Sequence, residues 1–249
     1  MWALKCPLPL QPLAPLPVAS ANPMPRDPSR PATHPPPAGA GTLGARALAC
    51  KRGRRLLFRS LDLQLAPGSI TWLRGRNGSG KTSLLRILAG LSSPAEGDIT
   101  WNGAPIVQAD VSARQAIVYI GHTNALKDDL TLAESVAFLA RLHMVGDATR
   151  RAQVALDRLG LASRRDAPVR TLSQGQRRRG ALARLALDEQ PRTWILDEPF
   201  DALDHDSVGL LSGLVAAHAA RGGAVLMTSH QAVSLAGAAE FDLEPYRPA

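Results

Sequence analysis

Apolar and polar positions alternate just after residue 42, and a period of two is typical of strands that bury one face. The alternation runs through residues 48–50 and again through residues 61–65, where every second position is leucine, before a turn at Pro67 and Gly68. The short run Ile70–Arg74 leads into a glycine-rich loop and predicts a buried strand.

Helical segments follow this strand-rich part of the chain. We predict a helix over residues 81–89 that ends at Gly90, helices over most of residues 131–187, and strands at residues 194–196 and 224–228. Strands that alternate with helices around a helical insertion indicate a parallel α/β sheet that carries an α-helical subdomain. We place this subdomain at about residues 123–188.

Residues 1–42 have a different composition, since twelve of the twenty prolines lie there. Proline lacks an N–H donor and fixes φ, so this spacing predicts an extended, poorly ordered extension. The same prolines interrupt the apolar region that a secretory signal needs. A wrongly assigned start codon would explain such an extension equally well, and sequencing of the mature N-terminus separates the two explanations.

The remaining residues, 43–249, are enough for one domain. With 45% hydrophobic and 20% charged residues, the chain has the composition of an ordinary globular protein. A formal net charge of +8 favours an anionic partner such as a nucleotide, a nucleic acid or a membrane surface. Much of the excess is arginine of the kind that solvated helix faces carry: Arg54, Arg55, Arg150, Arg151, Arg164, Arg165, Arg177, Arg178 and Arg179.

Composition also argues against some kinds of site. Cys6 and Cys50 lack the spacing of zinc ligands or of a disulfide scaffold, which fits a reducing compartment. No apolar stretch reaches the roughly 18 residues that a membrane-spanning helix needs, so the chain cannot itself form a transport path.

A glycine-rich loop lies between the strand Ile70–Arg74 and the predicted helix, and it fits the P-loop pattern GxxxxGK[ST]. In such a loop the backbone N–H groups surround the phosphates of a nucleotide. We expect Lys81 to reach the β- and γ-phosphates and the hydroxyl of Thr82 to bind Mg²⁺. The predicted nucleotide-binding residues are Gly75, Arg76, Asn77, Gly78, Ser79, Gly80, Lys81 and Thr82.

Two carboxylates, Asp197 and Glu198, directly follow the apolar strand at residues 194–196. Ligands of open parallel sheets bind at the carboxyl ends of the strands. Asp197 is therefore suited to hold Mg²⁺, and Glu198 to polarise an attacking water.

A third segment, at residues 172–176, precedes a predicted helix with Arg177–Arg179 on its first turns. By itself this segment is a common helix N-cap, although a serine, a glycine and a helix N-terminus can also bind phosphate. Its letters LSQGQ, and its place between the P-loop and the carboxylates, resemble the signature motif of ABC ATPases. The segment consists of Leu172, Ser173, Gln174, Gly175 and Gln176.

The resemblance covers residues 43–235 or so and implies further roles. Asp204, in Ala202-Leu203-Asp204, resembles the D-loop, and His230 resembles the switch histidine that senses the γ-phosphate. The fold it implies is a P-loop NTPase of the ABC type, with an antiparallel β subdomain and an α-helical subdomain. It also implies a head-to-tail homodimer in which the signature loop of each subunit covers the ATP of the other.

Features around Tyr119-Ile120-Gly121-His122 resemble the haem exporter ATPases of cytochrome c maturation. Most ABC ATPases carry glutamine where His122 stands, on the loop that couples nucleotide to the membrane subunit. The sequence from Trp194 to Phe200 and the short stretch after His230 are also similar to that group. The resemblance implies integral membrane partners, a peripheral position at the cytoplasmic face of the bacterial inner membrane, and haem as cargo.

Several questions stay open at this level. Many family members stack an aromatic residue on adenine, whereas residues 50–55 offer only arginines such as Arg52 and Arg54 for that contact. Another cargo, such as a lipid, a drug or a small metabolite, would use the same motor chemistry. A soluble ABC ATPase that acts on nucleic acid would suit the positive charge, but such proteins usually contain paired ATPase domains or long coiled coils. A protein that binds nucleotide without turnover would not need both Glu198 and His230.

Overall fold

The computed structural model describes residues 41–106, 111–187, 189–231 and 233–248. The predicted proline-rich extension, residues 1–42, therefore lies outside the described residues except for its last two positions. In the described part, no helix combines the length and the apolar character needed to cross a membrane.

Nine strands form two sheets in the part of the chain that is described. They are β1 (Leu43–Arg52), β2 (Arg55–Leu65), β3 (Ile70–Arg74), β4 (Glu96–Trp101), β5 (Ala104–Pro105), β6 (Ile117–Ile120), β7 (Thr193–Leu196), β8 (Ala224–Met227) and β9 (Ala238–Asp242). The first sheet is antiparallel, in the order β2-β1-β4-β5. The second is parallel, in the order β6-β7-β8-β3-β9.

Helices connect the strands and form a separate helical region. They are α1 (Lys81–Leu88), α2 (Val111–Gln115), α3 (Leu132–Leu142), α4 (Ala148–Arg158), α5 (Gln174–Leu182) and α6 (His205–Ala220), with short 3-10 turns at Ala162–Arg164, Val169–Thr171, Ala183–Ala186 and Glu244–Tyr246. Helices α3, α4 and α5 occupy the stretch between β6 and β7, where the sequence predicts a helical subdomain.

Both faces of the parallel sheet are buried, because alternate side chains of each strand enter different clusters. On one face, Trp72, Trp194 and Met227 pack with residues of α3, α4 and α6. On the other face, Leu73 and Ile195 pack with α1 and the antiparallel sheet. The helical region and the antiparallel sheet are thus anchored to opposite faces of the same parallel sheet.

The carboxyl ends of four parallel strands meet at one edge of this sheet. The segments that follow them are the glycine-rich loop after β3, residues 121–122 after β6, residues 197–198 after β7 and residues 228–230 after β8. These are the segments in which the sequence predicts nucleotide chemistry. Parallel pairing therefore brings residues that lie up to about 150 positions apart into one place.

Candidate nucleotide-binding and hydrolysis site

The glycine-rich loop turns sharply from β3 into α1. Its glycines at 75, 78 and 80 have φ values of 144°, 77° and 107°, which side-chain-bearing residues rarely adopt. At Gly80 a Cβ atom would lie 3.1 Å from the Phe58 ring and 3.2 Å from Cβ of Leu57. The tight turn therefore depends on glycine both for its backbone angles and for the close approach of β2.

The ammonium group of Lys81 lies over this loop. It donates hydrogen bonds to the carbonyl oxygens of Gly75, at 2.7 Å, and of Arg76, at 3.3 Å. The backbone N–H of Arg76 donates to Oε1 of Glu244 at 2.7 Å, so this N–H faces the C-terminal segment. Ser79 is buried, and its hydroxyl has no hydrogen-bond partner among the described atoms.

Asp197 and Glu198 are almost fully buried, with 3% and 9% of their surfaces exposed. The Thr228 hydroxyl links them, since it donates to Oδ1 of Asp197 at 3.0 Å and accepts the N–H of Glu198 at 2.9 Å. The backbone N–H of His230 donates to Oε2 of Glu198 at 2.9 Å, and its ring Nε2 lies 3.5 Å from Oε1. The ends of β7 and β8 are thereby joined through the two carboxylates.

An open cleft of about 600 Å³ runs between the glycine-rich loop and these carboxylates. His122 lies at its margin with Nδ1 4.0 Å from Oδ2 of Asp201, and its side chain is largely exposed. The cleft combines cationic groups for phosphate with carboxylates that can bind a cation or polarise water. Its lining residues are Arg52, Arg55, Leu57, Asn77, Gly78, Gly80, Lys81, Thr82, Ser83, His122, Asp197, Glu198, Asp201 and His230.

The predicted residues that follow β7 and β8 meet in this cleft with most of the glycine-rich loop, but three residues of that loop do not line it. Gly75, Arg76 and Ser79 are absent from its lining, and their contribution to nucleotide binding stays a prediction. Of the two arginines proposed to stack on adenine, Arg52 lines the cleft and Arg54 does not. Arg55 lines it as well, and among the described residues no Phe, Tyr or Trp side chain does.

Thr82 and Asp197 both line the cleft, and they are the residues predicted to hold Mg²⁺. A hydroxyl and a carboxylate are oxygen ligands of the type that Mg²⁺ prefers, with water and phosphate supplying the remaining positions. Among the described residues no group of three or more His, Cys, Asp or Glu could form a protein-only metal cage. Mg²⁺ binding at Thr82 and Asp197 stays a prediction.

The signature-like segment lies outside the cleft of its own chain. Ser173 is the N-cap of α5, and its hydroxyl accepts the N–H of Gln176 at 3.2 Å while the Gln176 side chain accepts the N–H of Ser173 at 3.0 Å. Ser173 and Gln174 are exposed, and none of residues 172–176 belongs to the cleft lining. Their exposed position fits the prediction that they act on the nucleotide of a second subunit.

Asp204, the predicted D-loop residue, is the N-cap of α6. Its carboxylate accepts the N–H of Ser207 at 2.9 Å, and hydrogen bonds from the Ser207 side chain and backbone lower the pKa of Asp204. Its neighbour Ala202 has a φ of 60°, and its carbonyl oxygen would lie 2.8 Å from a Cβ atom at Gly175. The D-loop and the signature segment of one chain are therefore in close contact.

The structure contradicts one interpretation of the arginine run. The sequence pattern places Arg178 on a solvated helix face with its neighbours, but only 3% of it is exposed. Its guanidinium donates to the backbone carbonyls of Gly121, Asp197 and Glu198 at 2.9, 3.0 and 2.7 Å. The interpretation was wrong because burial of one residue in a basic run depends on tertiary packing, which periodicity does not report.

Thr228 is a second site residue to which sequence reasoning gave no role. It lies within the quoted stretch Thr228-Ser229-His230-Gln231, but only the structure shows its bridge between the two carboxylates. A hydroxyl residue at the end of an apolar strand, two positions before a candidate histidine, is the signal that could have found it.

Known proteins share extended sequence similarity with this chain. The family model described as "ABC transporter" matches residues 58–201. "Cytochrome c biogenesis ATP-binding export protein CcmA" of Aromatoleum aromaticum is 50% identical over 190 residues, which cover 76% of this chain and 88% of that protein. The protein of the same name from Albidiferax ferrireducens is 47% identical over 195 residues, covering 78% of this chain and 92% of that protein.

A solved structure also shares the fold. It is described as a dimeric post-hydrolysis state of the ATP-binding cassette MJ0796 bound to ADP and Pi. Its TM-score is 0.67 at 22% sequence identity, and the match covers 76% of this chain and 88% of that one. The predicted α/β fold of the ABC type is thus confirmed.

Proposed function

The chain belongs to the ABC transporter family of ATP-binding subunits, and from this membership we propose that it hydrolyses ATP to drive export in c-type cytochrome biogenesis, with haem as the cargo. The observation that carries the proposal is the meeting of Lys81, Glu198 and His230 in one cleft at the ends of parallel strands. The relatives at 47–50% identity are named as cytochrome c biogenesis export proteins, which supports this assignment.

Hydrolysis follows from the charges that face one another across the cleft. Lys81 supplies positive charge to the β- and γ-phosphates from the loop side. Glu198 lies opposite, where its carboxylate orients and polarises the attacking water. His230 is held beside Glu198 by its backbone N–H, so its ring can contact the γ-phosphate and report its loss.

Mg²⁺ belongs to this site with the nucleotide, held by the Thr82 hydroxyl and the Asp197 carboxylate. When bound, it neutralises charge on the phosphate oxygens. Thr228 donates a hydrogen bond to Oδ1 of Asp197, which holds this carboxylate in one orientation. This chain's contribution is therefore to hold the metal ligands and the catalytic carboxylate in a fixed relation.

We assign the exposed signature segment to the cleft of a second copy of this chain. Ser173 and the N-terminus of α5 would then complete a phosphate site that one subunit leaves open on its outer side. Binding of ATP closes such a dimer and hydrolysis opens it. The dimeric state described for the similar cassette supports this arrangement.

Transport requires membrane-spanning partners, and we propose integral membrane subunits of the cytochrome c maturation system. The chain would bind them at the cytoplasmic face of the bacterial inner membrane as a peripheral subunit. His122, between the cleft and the following loop, is the residue we assign to coupling. No nucleic-acid partner is proposed.

The substitution Glu198→Gln tests the hydrolytic step. It keeps the shape of the side chain but removes the charge that polarises water, so we expect the hydrolysis rate to fall about 100-fold or more. ATP-dependent dimers should accumulate, measurable by size-exclusion chromatography with and without ATP. The matched control is Glu96→Gln, which alters an exposed carboxylate on β4 and should hydrolyse ATP at the wild-type rate. Unchanged turnover in the Glu198→Gln protein would remove Glu198 from this role.

The cargo is tested separately by capture of the membrane partners. An affinity-tagged chain expressed in its native cell should recover cytochrome-maturation membrane subunits after mild detergent extraction. Recovery of a lipid, drug or metabolite permease instead would refute the haem assignment while leaving the ATPase intact.

A further inference from the structure

Arg178 connects three segments that the proposed mechanism uses. It lies on α5, five residues after Ser173, and its guanidinium reaches the carbonyl of Gly121 on one side. On the other side it reaches the carbonyls of Asp197 and Glu198. One buried side chain therefore joins the signature helix, the residue before His122, and the backbone of the catalytic carboxylate.

The backbone that Arg178 holds is strained. Glu198 has a φ of 49°, a left-handed conformation that costs free energy for a residue with a side chain and persists only where the surroundings hold it. Its N–H is held by Thr228, and its carbonyl accepts from Arg178 and from the N–H of Asp201 at 3.2 Å. The position of the carboxylate thus depends on contacts at both ends of the residue.

A buried cation at this place needs a specific reason. Burial lowers the pKa of Arg178, while the nearby carboxylates of Asp201, Asp197 and Glu198 act in the opposite direction. A guanidinium has rigid donors pointing in fixed directions, so it can bond carbonyls on two sides at once, which a lysine ammonium on its flexible stem cannot do to the same degree. Arg178 is buried and is not among the residues that line the cleft.

We propose that Arg178 is a positioning residue that fixes the Glu198 carboxylate relative to the His122 loop, so that the rate of ATP turnover depends on it while the binding of ATP does not. This inference rests on the proposed role of Glu198 in hydrolysis. It differs from a purely structural role because Arg178 bonds the segments to which the proposed function assigns hydrolysis and coupling.

The test compares Arg178→Lys and Arg178→Gln with the wild type. A displacement of a catalytic group by about 1 Å can cost about 100-fold in rate. We expect kcat to fall about 10-fold or more in both variants, and KM for ATP to stay within about 3-fold of wild type. Thermal unfolding, followed by circular dichroism, should show that the variants are folded.

Arg179→Lys is the matched control. Arg179 is the next residue on α5, and its guanidinium donates hydrogen bonds to the carbonyls of Leu159 and Gly160 in the helical region. We expect its kcat and KM to equal those of the wild type. A loss of kcat in this control as large as in the Arg178 variants would assign the effect to α5 as a whole and overturn the proposal.

The outcomes separate this inference from the proposed function. Wild-type kcat in Arg178→Lys and Arg178→Gln, together with loss of turnover in Glu198→Gln, would refute the role of Arg178 alone. A rise of KM in proportion to the fall of kcat, or failure of both variants to fold, would assign Arg178 to binding or folding and also refute it. Turnover that survives in Glu198→Gln would instead refute the proposed function.

Discussion

At the scale of single residues, the cleft depends on side chains that hold the reacting groups as much as on the reacting groups themselves. Thr228 is fully buried, and its hydroxyl accepts the N–H of Glu198 while it donates to Asp197. A buried polar group that loses its partner costs about 1–3 kcal/mol. The threonine therefore contributes both to the stability of the fold and to the geometry of the two carboxylates.

The substitution Thr228→Val keeps the volume and removes both hydrogen bonds. We expect a loss of about 1–3 kcal/mol in the free energy of unfolding, because the N–H of Glu198 is left unpaired in the core. Hydrolysis should fall as well, since Asp197 and Glu198 lose their common anchor. Thr228→Ser is the matched control, because it retains the hydroxyl and should keep most of the activity. Urea unfolding and an ATPase assay check both parts, and equal behaviour of the valine and serine variants would contradict the assigned bridge.

Residues that belong to sequence motifs could be predicted from the sequence, whereas the residues that hold them in place could not. Lys81 and Asp197 were found because the spacing around them indicates a strand followed by a polar group, and His230 was assigned from the resemblance to ABC ATPases. The structure brings all three into one cleft. Arg178 was missed because a run of arginines resembles a solvated face in any local pattern. Its burial depends on contacts with segments 57 and 19–20 positions away in the sequence, which no local rule describes.

At the scale of elements, two helices of the helical region begin with the same device. Thr131 caps α3 through a reciprocal pair of hydrogen bonds with Glu134, and Ser173 caps α5 in the same way with Gln176. The two caps differ in place, because the cap of α5 belongs to the segment that we assign to the nucleotide of a second subunit. Substitution of Thr131 should cost only the stability of a cap, whereas substitution of Ser173 should also remove the contact to the partner's nucleotide. A comparison of the two variants therefore distinguishes these effects.

We predict that Ser173→Ala and Thr131→Ala lower stability by similar amounts, about 1 kcal/mol each, because each removes one N-cap. The ATP-dependent dimer, assayed in the Glu198→Gln background, should be lost in the Ser173 variant and retained in the Thr131 variant. Chemical unfolding measures the first quantity, and size-exclusion chromatography with ATP measures the second. Dimers that survive equally in both variants would contradict the assignment of Ser173 to the partner's nucleotide.

Element prediction succeeded where the pattern was strong and failed where an element is short or polar. The strand Ile70–Arg74 was predicted with its observed bounds, since apolar residues flanked by turn signals define it. Strand β9 was not predicted, because two of its five residues (AAEFD) are charged and several of its side chains are exposed. It becomes a strand by pairing with β3 at the edge of the parallel sheet, which is a tertiary cause.

At the scale of the whole molecule, the C-terminal segment contacts the glycine-rich loop and the strand that precedes it. Strand β9 pairs with β3 along its length, and the N–H of Leu243 donates to the carbonyl of Arg74 at 3.1 Å. One step further, Glu244 accepts the N–H of Arg76 inside the loop. The C-terminal segment thus contacts the start of the glycine-rich loop through β9 and Glu244.

The substitution Glu244→Ala should therefore weaken ATP binding without touching the cleft. The N–H of Arg76 would lose its partner and the loop would become less well ordered, so we expect KM for ATP to rise roughly 3–10-fold, with a smaller change in kcat. The matched control is Glu240→Ala, which removes an exposed ion pair with Arg74 on the same segment and should change KM little. Steady-state ATPase assays at varied ATP concentration measure KM and kcat of both variants and of the wild type.

The pH dependence of stability provides a second test of the hydrogen bond between Arg76 and Glu244. The backbone hydrogen bond from Arg76, and then the side chain of Arg247, lower the pKa of Glu244. A carboxylate whose pKa is lowered by folding stabilises the fold above its unfolded pKa, about 4.3 for glutamate, and this contribution is lost as the pH falls through the folded value. The difference in Tm between wild type and Glu244→Ala should hence be constant above about pH 5 and shrink below pH 4. A difference that grows on acidification would mean that Glu244 does not hold the loop as a carboxylate, and the link from the C-terminal segment to the nucleotide site would have to be sought in the pairing of β9 with β3.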